Sequence, residues 1–441
     1  MLGKDLIMQT LLGGGSSGGG GSSGGGGGSA AVSPKEVNFY DYDGTCVHAY
    51  TVAEAQTLPE LPAGPEHEGL VFQGWNWSLE GVKGLTRAMN IGAMYTTDDG
   101  TTRLYITLQE GRTSPMLGVG VNGTVTVDWG DGTEPDVLMG TSLTTAMWTP
   151  NHAYAKPGDY VIRLTVDGKA QILGNSNSNH YAYIMRYASG SDARNLVYQN
   201  ALRAVELGTG MYVGNSAFNR CRSIERVSLP SGSVTNITQD MFRECYSLRY
   251  VTIPDTAEGT GASSGFESCS SMVTVSLPNG LTKVHQSMFK KCTALKCITL
   301  PDSITEITGS GLFSGCVNIK EVVIPDGIPS LKSSTFQQCH SLMSVTIPDS
   351  INAMSSSEFS ECAGITKLRI PSGVTSFMYG VFDNCAGLKV LDFTTHKAIP
   401  DLKYTITALP ADCEIRVPAD LYDEWIAATN WATYASQIKA Y

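Results

Sequence analysis

The sequence predicts a multidomain, mainly β protein that ends in a stacked-coil solenoid. Three observations predict it. The 441 residues include 48 glycines and only 16% charged side chains, a composition of turn-rich β structure rather than of long helices. Eight Phe-x-x-Cys pairs recur from Phe218/Cys221 to Phe382/Cys385 at steps of 23 or 24 residues, and a period in that range marks a solenoid. Upstream of them, short alternating apolar runs are separated by Asp/Gly turns, the pattern of half-buried strands. A chain this long exceeds one ordinary core, so about three domains are expected.

Composition sets the boundaries. Residues 1–12 (MLGKDLIMQTLL) form a short apolar anchor peptide. With Lys4 followed at once by Asp5 and no small-residue cleavage site, it does not read as a secretory signal. Residues 13–34 are a Gly/Ser-rich linker, flexible by default. An ordered polyglycine packing would need neighbouring chains to satisfy its backbone, which leaves self-association open.

Residues 35–88 form a first module, with Val37, Phe39 and Tyr42 before a D-x-D-G turn at 41–44 and the run LVFQGWNW at 70–77. Residues 89–192 form a second. In it, TVTVDWGDGTEP (124–135) is an alternating strand running into a tight turn. HAYAKPGDYVIRLTV (152–166) turns at Pro157-Gly158 and points Tyr160, Ile162 and Leu164 inward.

Residues 193–395 hold the repeats. Each contains V-x-I/L, a short strand with one buried face, ended by a proline that cannot donate to the next rung. Asp or Ser then turns the chain, and a second apolar pair follows, such as Ile304/Ile307. The Phe-x-x-Cys segment reads as one helical turn, which points both side chains inward. A single unit cannot bury its own apolar edge, but stacked units can. Full burial of each phenylalanine is worth roughly 1.5–3 kcal/mol. Parallel Cβ vectors suit the column cysteines poorly to bridging, so they read as small buried hydrophobes. Cys297 falls at an outward strand position and is expected as an exposed thiol. Residues 396–441 close the stack with a last strand at 413–418 and a terminal amphipathic helix. That helix presents Leu421, Trp425, Ile426, Trp431, Tyr434 and Ile438 to the final coil.

Three resemblances accompany these readings. The first module, through Val37, Phe39, Asp43, Gly44, Gly69, Phe72, Gly74 and Trp75, resembles the β-grasp-like repeat of internalin B-type surface proteins. The second, through Trp129, Gly130, Asp131, Gly132, His152, Tyr154, Pro157, Gly158 and Tyr160, resembles the polycystic-kidney-disease (PKD) domain. That resemblance implies an immunoglobulin-like β-sandwich serving as a spacer or adhesion module of an extracellular protein, with His152 a structural residue. The repeats closely resemble BspA-like (Treponema-type) leucine-rich repeats of bacterial surface proteins and some phage proteins.

A net charge of −11 and a pI near 5.1 argue against binding nucleic acid or an anionic membrane. No apolar run approaches the roughly 18 residues of a spanning helix. GVGVNG at 118–123 matches G-x-G-x-x-G but precedes a strand, the wrong context for a dinucleotide site. The acidic turns at 41–44 and 128–132 offer too few carboxylates for calcium, and the seven histidines lack zinc-site spacing. Neither a catalytic constellation nor a cofactor or metal site is expected, so the protein does not read as an enzyme.

What remains for function is the outward side of the repeat strands. One column (Ser228, Thr252, Ser276, Thr299, Val323, Thr346, Arg369) is mostly small or β-branched and reads as structural. Its neighbour is chemically mixed and supplies the candidate ligand-binding residues Arg226, Tyr250, Thr274, Glu321, Ser344 and Lys367, with Cys297 in the same row. The expected function is non-catalytic, extracellular recognition of a cell-surface protein or glycan receptor. The preferred setting is a phage tail-associated receptor-binding or fibre protein, whose residues 1–30 attach to other virion or surface proteins. The alternatives are a bacterial cell-surface adhesin of BspA type and, from another class, a glycan-active enzyme with accessory domains.

Overall fold

The computed structural model describes residues 31–173, 184–186, 198, 200–257, 259–260 and 263–441. The anchor peptide and the glycine tract to residue 30 lie outside the described residues.

The first module is a four-stranded sheet of β1 (Val37–Tyr40), β2 (Cys46–Tyr50), β3 (Leu70–Trp75) and β4 (Met89–Thr97), in the order β2-β1-β4-β3. Two short helices, α1 (Val52–Gln56) and α2 (Leu79–Lys83), begin at the side-chain caps Thr51 and Ser78, which satisfy amides the first turn leaves free. The expected boundary at 88 is too early, because β4 belongs here and runs parallel to β1 in the centre of the sheet. A parallel neighbour arrives by a crossover rather than a tight turn, so no local signal announces it. Phe39, Trp75, Trp77, Ile91 and Tyr95 fill the core.

Next come β5 (Thr102–Leu108), β6 (Met116–Asp128), β7 (Asp136–Trp148) and β8 (Gly158–Ile172), all antiparallel neighbours in the order β5-β8-β6-β7. GVGVNG lies inside β6. A Cβ on Gly120 would stand 2.0 Å from Leu143 O, so this glycine admits a backbone rather than a phosphate. The expected boundary at 192 is also crossed. β9 (Met185–Arg186) pairs with β6, β10 (Leu202–Glu206) pairs with β5, β11 (Met211–Val213) pairs with β8, and β12 (Arg226–Ser228) extends β10 in parallel. The sheet therefore runs on into the first coil, and one apolar core extends from Leu104 to Ile438. A sandwich standing apart from the repeats is not what forms, because the edge of β5 is completed by a solenoid strand.

In the coils the eight phenylalanines form one stack. Neighbouring rings from Phe218 to Phe359 lie 5.2–5.6 Å apart and at most 15° from parallel, and every one of these rings is buried. Each column thiol from Cys245 to Cys385 donates to the carbonyl of the phenylalanine one coil earlier, as Cys269 Sγ does to Phe242 O at 3.0 Å. All eleven cysteines are free, and Cys297 is the exposed one.

The expected helical turn at Phe-x-x-Cys does not form. The residues two before and two after the phenylalanine adopt left-handed φ in coil after coil: Ser264 and Ser268 at 58° and 65°, Ser334 and Gln338 at 58° and 61°, Gly311 and Gly315 at 75° and 76°. These kinks aim the phenylalanine N–H at the next coil, as from Phe266 to Met288 O at 2.9 Å. A helix would have spent that donor locally.

The terminal helix is likewise broken. A 3-10 turn (Ala419–Leu421), α3 (Tyr422–Ala427) and a second 3-10 turn (Trp431–Tyr434) are separated at Asn430, whose φ is 63°. Ile438–Ala440 is not helical but adds a parallel rung to Glu414–Val417. Trp425 and Trp431 are buried over Phe393 and close the stack.

Candidate functional site

The prolines that end the repeat strands create the chemistry of the solenoid face. In a parallel ladder, the residue before each proline points its carbonyl at the next coil, where the aligned donor is itself a proline. Thr252 pairs with Ser276, so Ile253 O faces Pro278. Cys297 pairs with Glu321, so Leu300 O faces Pro325. Pro278 and Pro325 have no N–H, and an unpaired carbonyl away from water costs free energy.

The first module supplies the missing donors. Asn76 Nδ2 donates to Ile253 O at 2.9 Å, Trp77 Nε1 to Leu277 O at 2.9 Å, and Arg87 Nη2 to Leu300 O at 2.7 Å. Arg87 also forms an ion pair with Asp302. Around this row, Ser276 Oγ donates to Asn90 O at 2.8 Å, Asn90 Nδ2 donates to Thr274 Oγ1 at 3.0 Å, and Ser228 Oγ donates to Tyr95 O at 3.0 Å. The module thus sits on the outward strand face of the first coils. The small outward column has its explanation here: Ser228, Thr252 and Ser276 let β4 approach, and a Cβ on Gly92 would stand 2.1 Å from Thr252 Oγ1.

This placement divides the candidate ligand-binding column. Tyr250 is 2% exposed, against Tyr40 of the module, and Thr274 is 5% exposed. Arg226 lies 4.6 Å over the Tyr42 ring, with Nη2 3.3 Å from Glu206 Oε1. Glu206 also accepts from Tyr105 Oη at 2.7 Å, which ties the module, the second sheet and the first coil into one joint. For Arg226, Tyr250 and Thr274 the expectation is corrected: they face the protein's own module. Glu321, Ser344 and Lys367 remain exposed on the coils beyond it. Cys297 stands at the module's edge, where burial raises its thiol pKa and hydrogen bonds with Thr274 and Asn90 lower it less.

The motif residues of the second sheet assemble as well. His152 stacks on Trp129 at 4.3 Å, and its Nε2 lies 2.9 Å from Asp131 Oδ2. Tyr154 Oη donates to Trp129 O at 2.9 Å. Burial pushes the Asp131 carboxyl up, but hydrogen bonds from Thr133 and His152 outweigh it and hold the group below the usual carboxylate range. The cluster closes a turn. At the other acidic turn, Gly44 N–H donates to Asp41 O at 3.0 Å, and His67 Nε2 lies 2.8 Å from Asp41 Oδ2, with Tyr42 and Tyr95 beside its ring. Among the described residues, no group of three or more His, Cys, Asp or Glu side chains is set to hold a metal ion, and no helix is long and apolar enough to cross a membrane.

Fold and face together define a stacked-coil solenoid carrying a docked β module. Residues 195–316 and 309–402 match the BspA type leucine rich repeat region, in six copies, so these coils are similar to leucine-rich repeats of BspA type. Among solved structures, the chain is similar to a leucine-rich repeat protein of T. pallidum (29% identity over 33% of this chain and 68% of that one, TM-score 0.30). It is also similar to one from Bacteroides ovatus ATCC 8483 (15%, covering 63% and 99%, TM-score 0.28). A third is a leucine-rich cell surface protein from Faecalibacterium prausnitzii A2-165 (20%, covering 55% and 73%, TM-score 0.29). No curated protein matches.

Proposed function

We propose that the protein is a non-catalytic, extracellular recognition protein that binds a cell-surface protein or glycan through the coils its own module leaves open. One observation carries this reading: the outward column is buried under the module at Tyr250 and Thr274, yet exposed at Glu321, Ser344 and Lys367. A parallel ladder joins Glu321 to Ser344, and Lys367 follows on the strand of the next coil, so little order remains to be lost on binding. The PKD-like and β-grasp-like segments serve as spacer and clamp in this reading, and their contacts with the coils support such a role.

The setting we propose is a phage tail, with residues 1–30 as the attachment to the particle and to other copies of the chain. A bacterial cell surface is the second reading, favoured by the BspA-type match over the repeats.

Labelled full-length protein applied to intact bacteria, followed by flow cytometry, tests the function. Joint replacement of Glu321, Ser344 and Lys367 by alanine should cut attachment at least tenfold at an unchanged Tm. Unchanged attachment contradicts the reading. Gold-labelled antibody to the repeats, on phage particles and on cells, separates the two settings.

A further inference from the structure

We infer that the coil ending at Pro325 carries a guanidinium socket, made of Ile324 O and the Asp326 carboxylate, that takes an arginine side chain of a protein partner. This rests on the recognition reading above and gives its open face a specific chemistry.

The template is already filled one coil earlier. Arg87 there holds the carbonyl before a proline, Leu300 O, and the carboxylate just after it, Asp302. A planar guanidinium suits that pair because its donors diverge in a fixed fork. The next coil repeats both acceptors. Val323 pairs with Thr346, so Ile324 O points at Pro348 and finds no ladder donor. No hydrogen bond reaches Ile324 O among the described residues, whereas Ile324 N–H is satisfied by Thr346 O at 3.1 Å. Asp326 is exposed. It stands close enough to Arg87 for their charges to interact, yet forms no ion pair with it, so the empty socket adjoins the filled one.

The coil after that is different. Its carboxylate, Asp349, is already engaged by Arg369 at 2.8 Å. The open socket therefore lies between the module's edge and Arg369. The floor between them is Val323 and Thr346, as small as the floor on which the module rests. Continuity with the module interface argues for a protein occupant, one that extends the row of Asn76, Trp77 and Arg87 by another arginine. A sugar would bring hydroxyl donors but no charge for Asp326.

The test is a methyl NMR titration of the full chain labelled at isoleucine, with acetyl-arginine amide, acetyl-lysine amide and N-acetylglucosamine as probes. The expected result is a saturable shift of the Ile324 methyl with the arginine probe, at least threefold larger than with the lysine probe. Asp326→Asn should abolish it. So should Pro348→Ala, which returns an N–H to the ladder opposite Ile324 O while leaving the carboxylate in place. No shift at Ile324, equal shifts with arginine and lysine, a response to the sugar instead, or a response surviving Pro348→Ala would each overturn the socket. Cell attachment scored on the same samples keeps the two readings apart. Attachment without an arginine response sinks the socket alone. An arginine response without attachment leaves the socket standing and sinks the recognition reading.

Discussion

Trp77 donates its indole N–H to Leu277 O at 2.9 Å, across 200 residues of sequence. That bond and its neighbours from Asn76 and Arg87 show what the repeated proline does. It stops each strand, and it also leaves a carbonyl that something outside the ladder must satisfy. In the first coils the something is the N-terminal module.

The phenylalanine stack sets the stability of the solenoid. Phe313→Ala removes a fully buried ring that stacks on two others, Phe289 and Phe336, both at 5.6 Å. It should cost about 3–5 kcal/mol, measured by urea unfolding. A loss below 1 kcal/mol would mean that the stack is not a packed core.

The left-handed corners predict a gain and a loss. Gln338 sits at φ 61°. Left-handed backbone costs a non-glycine residue roughly 1–2 kcal/mol, partly offset by the extra freedom glycine has when unfolded. Gln338→Gly should therefore stabilise by about 0.5–1 kcal/mol. Gly315→Gln, at φ 76° with Lys291 Cγ 3.3 Å from its new Cβ, should destabilise by at least as much. A destabilised Gln338→Gly or a stabilised Gly315→Gln in thermal melts would contradict the corner geometry.

Much of this architecture is legible in the sequence, and the parts that are not share a cause. The period, the strands and the inward Phe and Cys follow from local spacing. The corner is harder, because Phe-x-x-Cys suits one face of a helix as well as it suits a kinked turn. Only Gly311, Gly315 and Gly380 mark the left-handed positions, and most coils place Ser, Lys, Gln or Glu there. The half-buried outward column is invisible locally, since its partner lies far off in sequence, 133 residues from Ser228 to Tyr95 and 186 from Ser276 to Asn90. One signal was available: the column that starts at Ser228 is Ser or Thr down to Thr299 and departs from them first at Val323 and then at charged Arg369, beyond the coils on which the module rests.

Glu358 predicts a pH dependence. It is fully buried at a position where other coils place Met241, Met288 or Leu312. Its Oε1 accepts from Ser355 N–H, and Oε2 has no partner. Burial raises its pKa well above the usual carboxylate range, against a smaller lowering by the Ser355 bond and Lys332. A raised folded pKa means that the folded state keeps a proton the unfolded chain gives up. This contribution is complete below the ordinary carboxylate pKa and is lost as pH rises toward the folded value, by at most about 1.4 kcal/mol per pH unit. Glu358→Gln should flatten that slope and stabilise the protein at pH 8. Parallel pH–stability curves for the two proteins would show the carboxyl to be solvated.

Thiol labelling of the native protein should mark Cys297 first. Burial pushes the column thiols up, Cys221 and Cys316 to about 12, and leaves them without access. Mass spectrometry after brief alkylation should find one modified cysteine. Rapid modification throughout the column would contradict the packing.

The measurement that bears most directly on the docked module is native tyrosine nitration, read by peptide mapping. Tyr250 is buried against Tyr40, and burial raises the pKa of its phenol, whereas Tyr379 and Tyr404 are more than half exposed. Tyr250 should stay unmodified while Tyr379 and Tyr404 react, and Gly92→Val, which drives a side chain into Thr252 and Tyr250, should open it. Nitration of Tyr250 at the rate of Tyr379 in the unaltered protein would contradict the account, because the module would then not be resting on the coils.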